Sequence, residues 1–131
     1  MPWLVDTNVL SELARPRPNA GVIQWARGID RISISVVTLE EIMFGLAWKP
    51  NARVRDWFER FFSDACDVLP ITDAIAERSG IVRGRSRALG VTHSQADSLI
   101  AATAHVHELT LVTRNVRDFA GCEIKLLNPF G

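Results

Sequence analysis

LTLVTRNVRDF, residues 109–119, is an apolar run of strand character that stops at Thr113, turns polar at once and reaches an acid at Asp118. Residues 2–10, PWLVDTNVL, do the same near the N-terminus, with Asp6 at the stop. A short apolar run between polar residues marks a strand buried on both faces, as in a parallel sheet covered by helices. Ligands of such sheets bind outside the carboxyl ends of the strands, so polar residues at two of those ends are candidates for function.

The same alternation extends along the chain. TNVLSELAR reads as a helix stopped by Pro16 and Pro18, and Asn19 caps a second one, AGVIQWARG. RISIS is a strand, after which Leu39, Ile42, Met43 and Leu46 recur at helical spacing through VVTLEEIMFGLAW. Pro50 and Asn51 restart the chain into ARVRDWFERFF, where Val54, Trp57, Phe58, Phe61 and Phe62 form one apolar stripe. By its pattern alone such a stripe belongs to the core. DVLPI is a short strand, and Thr72 or Asp73 caps a long helix reaching about Leu89 and ended by Gly90. SQADSLIAATAHVHE is a helix, LTLVT a strand, NVRDFAG one or two helical turns and EIKLLN a last strand. Short strands alternating with helices predict an α/β fold with a parallel sheet, in a single domain over residues 1–131.

Bulk properties narrow the function classes. A chain of 131 residues buries roughly two-thirds of its unfolded surface, enough for a core without staples. Formal net charge is +0, so any nucleic-acid contact must come from a local patch. Cys66 and Cys122 stand in no metal or redox spacing and read as free thiols of a cytoplasmic protein. No apolar run approaches the roughly 20 residues of a membrane helix, and Asp6 interrupts any signal-peptide core.

Four segments bring acids to the strand ends: Asp6, Glu41, Asp97 and Asp118, with Asn115 beside the last. Carboxylate oxygens without His or Cys partners suit hard divalent cations, Mg2+ or Mn2+. Such ions can orient and acidify a water for in-line phosphodiester displacement. A plainer reading stands beside this one. Thr38-x-x-Glu41, Ser94-x-x-Asp97 and Asn115-x-x-Asp118 all fit helix N-terminal capping, and acids in first turns answer the helix dipole. Asp6 is harder to dismiss, because it ends an apolar strand where burial is costly without a partner. Caps explain one acid at a time; they do not explain why all follow strands.

The pieces LVDTNVLSEL, SISVVTLEEIMFGL, ADSLIAATA and LTLVTRNVRDF together resemble the PIN-domain family, in particular the VapC-type toxins and their FitB-like branch. The resemblance implies a small α/β/α sandwich around a central parallel sheet and a metal-dependent endoribonuclease, the toxin of a bacterial toxin–antitoxin pair. Asp6 matches the family's first acid; Glu41, four residues before Gly45, matches the second; Asp97 matches the third. Many members carry Asp where this chain has Asn115, so Asp118 becomes the candidate fourth acid and Asn115 a neutral ligand or water holder. Thr7, Asn8 and Thr113 could bond the acids or simply cap helices. The resemblance also implies a homodimer, an RNA substrate and a DNA-binding antitoxin seated in a groove near the aromatic stripe, so that the stripe is expected to lie partly in the core and partly under that partner. A catalytically inert binding module is the alternative, favoured by Asn115. Phosphoryl transfer with Asp6 as nucleophile needs a second Asp where Asn8 stands.

Between Arg78 and Arg87 the chain carries four arginines and no acid. Arg83, Arg85 and Arg87 are candidate RNA-backbone contacts, or else an exposed, solvated face. His93, His105 and His107 have no zinc spacing and read as structural or surface residues. The small residues after Asp97, with Ile100, Ala101 and Ala104 on its helix face, predict close packing on the sheet or on a second subunit.

Overall fold

β1 (Trp3–Val5) lies at the middle of a five-stranded sheet in the computed structural model, which describes residues 2–131. It pairs with β2 (Ile32–Ser35) on one side and β4 (Thr110–Val112) on the other. β3 (Cys66–Leu69) and β5 (Leu126–Leu127) form the two edges, giving the order β3-β2-β1-β4-β5 with every pairing parallel. The helices are α1 (Thr7–Leu13), α2 (Ala20–Ala26), α3 (Val36–Trp48), α4 (Ala52–Asp64), α5 (Asp73–Ala88) and α6 (Gln95–Val106), with a 3-10 turn at Val116–Phe119.

The chain steps outward from β1 to β2 to β3, then crosses back to β4 on the far side of β1. Right-handed crossovers therefore send α1–α4 to one face and α5–α6 to the other. The core divides accordingly. Val5, Ile34 and Val112 pack with Val9, Leu10, Val22, Phe58 and Phe61, whereas Leu4 and Leu111 pack with Ile100, Ala101, Ala104 and Phe119. Neighbouring residues of one strand thus enter opposite clusters, as the period of two requires. Burial on both faces is why these strands read as unbroken apolar runs.

Several expectations change in detail. β3 begins at Cys66 and stops at Leu69, because Pro70 has no N–H to continue the ladder. Thr72, not Asp73, caps α5, its hydroxyl accepting from Ile75 N at 3.3 Å. Gly90 ends that helix with φ +85°, a left-handed step that lets Val91 N–H reach Ser86 O at 2.8 Å. The aromatic stripe of α4 packs on the core at all five positions, Phe58 and Phe61 buried and the other three partly so. Both cysteines are buried and free, and burial pushes the Cys66 thiol up to about 11, so it stays protonated at neutral pH. No helix among the described residues is long and apolar enough to cross a membrane.

Thr38 is fully buried in α3, and its hydroxyl finds no partner among the described residues. Thr38→Val keeps the shape and removes the unmet group, so it is expected to raise unfolding free energy by about 1 kcal/mol. A higher denaturant midpoint at unchanged m would show this; a lower one would reveal a partner for the hydroxyl.

Candidate functional site

The sheet's topological switch lies between β1 and β4, where outward connections reverse direction, and a crevice opens at such a point beyond the carboxyl ends. Asp6 follows β1 and Thr113 follows β4, so neighbouring strands bring them together across 107 residues of sequence. Asp6 is nearly buried, at 7% exposure, and caps α1. Its Oδ1 accepts the Thr7 N–H at 2.8 Å, and its Oδ2 accepts the Thr113 hydroxyl at 2.8 Å and the Asn8 amide at 3.2 Å. Asn8 Oδ1 in turn accepts Arg114 N–H at 3.0 Å. Three donors fix the carboxylate in one orientation.

Glu41 arrives from the second turn of α3. The Thr7 hydroxyl donates to its Oε1 at 2.9 Å, so Thr7 joins the first and second acids through its N–H and its O–H. Glu40 is exposed, whereas Glu41 is half-buried. Asp97 lies in the first turn of α6, its N–H on Ser94 Oγ at 3.0 Å. Asp118 is exposed on the 3-10 turn.

Burial is the main reason that the Glu41 carboxyl sits above its usual range; the Thr7 bond opposes it, and negative charge on Asp6, Asp97 and Glu40 adds to it. Burial likewise raises Asp97, opposed by a bond with Ser94 and reinforced by Asp6 and Asp118. Asp6, Glu41 and Asp97 thus act on one another, and Asp118 acts on Asp97. Among the described residues, no three His, Cys, Asp or Glu side chains stand close enough to form a ready-made metal cage.

Capping accounts for these acids unevenly. Ser94 does cap α6. Thr38 does not cap α3; Ser35, the last residue of β2, does so through Val37 N–H at 3.0 Å, which leaves Glu41 well inside the helix. Asn115 makes no side-chain cap bond to the 3-10 turn and is exposed, its N–H donating to Thr113 Oγ1 at 3.1 Å. Arg83, Arg85 and Arg87 are all exposed on α5. Ile100, Ala101 and Ala104 are buried against the sheet.

A groove of about 390 Å³ runs from Thr7 and Glu41 to Lys49 and Asn51, over Leu46 and Phe58. A smaller apolar cavity of about 130 Å³, lined by Trp25, Trp57 and Phe61, opens near Ala65 at the amino ends of β2 and β3, away from the acids. His105 and His107 are exposed; His93 is buried, in a setting its sequence position did not advertise.

Residues 3–121 match the PIN domain family. The chain is 32% identical to VapC ribonuclease Y4jK of Sinorhizobium fredii, over 97% of this chain and 96% of the relative. It is 30% identical to Toxin FitB of Neisseria gonorrhoeae, over 97% of each. It superposes on a chain of a toxin–antitoxin complex from Klebsiella pneumoniae with a TM-score of 0.75 at 29% identity, covering 97% of each chain. This chain belongs to the PIN domain family, in its FitB- and VapC-like branch.

Proposed function

We propose that this chain is a divalent-metal-dependent endoribonuclease and the toxin of a toxin–antitoxin pair, working as one domain over residues 1–131. The observation that carries the reading is the joining of two carboxylates through one residue: Thr7 donates its N–H to Asp6 Oδ1 at 2.8 Å and its O–H to Glu41 Oε1 at 2.9 Å, with the charge of Asp97 close to both. Carboxylates so placed are relieved by a cation. The donor set fits a hard ion such as Mg2+ or Mn2+, being all oxygen. The lack of a closed cage is compatible with that, since Mg2+ keeps several waters and is usually held by one or two carboxylates and substrate phosphate.

Asp6 would serve as the fixed ligand, because Thr7, Asn8 and Thr113 hold both its oxygens. Glu41 is oriented by Thr7, and Asp97 by its place on the first turn of α6. Asp118, exposed on its short turn, can complete the site when substrate phosphate arrives, with Asn115 as a neutral ligand or water holder. When bound, the ion supplies charge that acidifies water and offsets the phosphate. Arg83, Arg85 and Arg87 offer guanidinium contacts to RNA backbone.

The relatives supply the partner class. A small DNA-binding antitoxin would lay a segment in the groove between Glu41 and Lys49, which has an apolar floor and an acid at one end. A second copy of the chain is the other expected partner, and the cytoplasm the expected place of action.

Mn2+ binding to the partner-free protein, followed by EPR, tests the reading together with cleavage of an RNA pool with and without chelator. Saturable binding and chelator-sensitive cleavage are expected. Neither appearing, with the protein folded, would return the chain to the inert binding module that Asn115 suggests.

A further inference from the structure

His93 is 5% exposed and sits in the loop between α5 and α6, four residues before Asp97. Its Nδ1 lies 3.0 Å from the backbone carbonyl of Asp118, and its Nε2 lies 3.9 Å from Cys122 Sγ. A carbonyl oxygen only accepts, so Nδ1 carries the hydrogen and donates it. Nε2 then faces the Cys122 thiol as acceptor in the neutral ring. One buried imidazole thereby joins the loop leading to Asp97 with the turn bearing Asp118. The turn's other anchors are the Asn115 N–H on Thr113 Oγ1 at 3.1 Å, the Asp118 N–H on Asn115 O at 3.0 Å, the Ala120 N–H on Arg117 O and the Cys122 N–H on Phe119 O, both at 3.2 Å, and the buried ring of Phe119. Phe119 anchors the turn; the bond from His93 fixes the peptide carrying the Asp118 side chain.

We infer that His93 is a positioning residue, a clamp that holds Asp118 at a set distance from Asp97 by bonding its main-chain carbonyl. This rests on the reading of Asp97 and Asp118 as ligands of one metal site. Partners that orient metal ligands typically affect affinity or activity by roughly 10- to 100-fold when removed. The bond to Asp118 O is made by Nδ1 alone. An Asn side chain places its amide near Nδ1, whereas Gln places it near Nε2.

The test is Mn2+ affinity by EPR, in the presence of inorganic phosphate, on His93→Ala, His93→Asn, His93→Gln, Asp118→Asn and the double variant His93→Ala/Asp118→Asn. Thermal unfolding of each checks that it is folded. Asp118→Asn and His93→Ala should each weaken binding about 10-fold or more. The double variant should be no weaker than Asp118→Asn alone, because the clamp acts only through that side chain. His93→Asn should recover binding to within about threefold of wild type and His93→Gln should not, a contrast that a merely structural ring would not produce. Additive losses, or equal behaviour of the Asn and Gln variants, would overturn the clamp while leaving Asp118 a ligand. Full affinity in Asp118→Asn would remove Asp118 from the site, and the clamp with it. No Mn2+ binding by wild type would overturn the metal reading itself.

Discussion

Asp97→Asn is expected to abolish RNA cleavage while making the metal-free protein harder to unfold at pH 7. Loss of a ligand in the role proposed for Asp97 should exceed the roughly 10- to 100-fold typical of outer partners, so cleavage should fall at least about 100-fold. The stability gain follows from the raised carboxyl. Burial first, then Asp6 and Asp118, lift Asp97 above its usual range, so the folded chain holds that proton more tightly than the unfolded chain does. The stabilisation from protonation is complete below the unfolded value of about 3.9 and is lost as pH rises through the raised folded value. At pH 7 the wild type therefore carries the whole unfavourable charge, and near pH 4 little of it. The midpoint advantage of Asp97→Asn should be largest at pH 7 and shrink towards pH 4. Added Mn2+ should reverse the ranking, since only the wild type gains by binding it. Thermal melts across that pH range with and without Mn2+ decide the matter. A variant that cleaves normally, or that is less stable at pH 7, would sink the assignment.

Such a trade between function and stability is what a site built of like charges entails, and it explains which parts could be read from residues alone. α3 was legible end to end, because Leu39, Ile42 and Leu46 declare a helical period and Trp48 precedes Pro50. The segments of Asp6, Glu41 and Asp118 were legible because both faces of the sheet are covered, so each strand stands out as an apolar block with a polar stop; Asp97 follows α5 and no strand, and only the cap at Ser94 marked its place. Capping was less legible. Thr38-x-x-Glu41 has the spacing of a capping box, yet β2 runs straight into α3 through Ser35 with no loop between them. A local rule cannot choose between two hydroxyls when the competing one also ends a strand. His93 carried no spacing signal, because its partner is 25 residues away and is a main-chain carbonyl, which any residue type supplies.

Thr113→Val is expected to be the most damaging substitution of a neutral residue in the site, with the opposite sign to Thr38→Val. Both threonines are fully buried. The Thr38 hydroxyl has no partner, but that of Thr113 donates to Asp6 Oδ2 at 2.8 Å and accepts from Asn8 Nδ2 at 3.3 Å and Asn115 N at 3.1 Å. Valine would take one of three donors from a nearly buried carboxylate and remove the acceptor used by the Asn115 N–H. A hydrogen bond to a charged group is worth roughly 1.5–3 kcal/mol, and Asp6 keeps Thr7 N–H and Asn8, so a loss of about 2 kcal/mol in unfolding free energy is expected at pH 7. Because Asp6 also loses its fixed orientation, Mn2+ affinity should drop about 10-fold or more. Thr113→Ser keeps the hydroxyl and should restore the affinity, while losing some stability with the methyl group. That split separates orientation of Asp6 from packing in the core. If Thr113→Ser binds Mn2+ as poorly as Thr113→Val, the hydroxyl does not hold the ligand, and the latch between β1 and β4 is only a brace for the sheet.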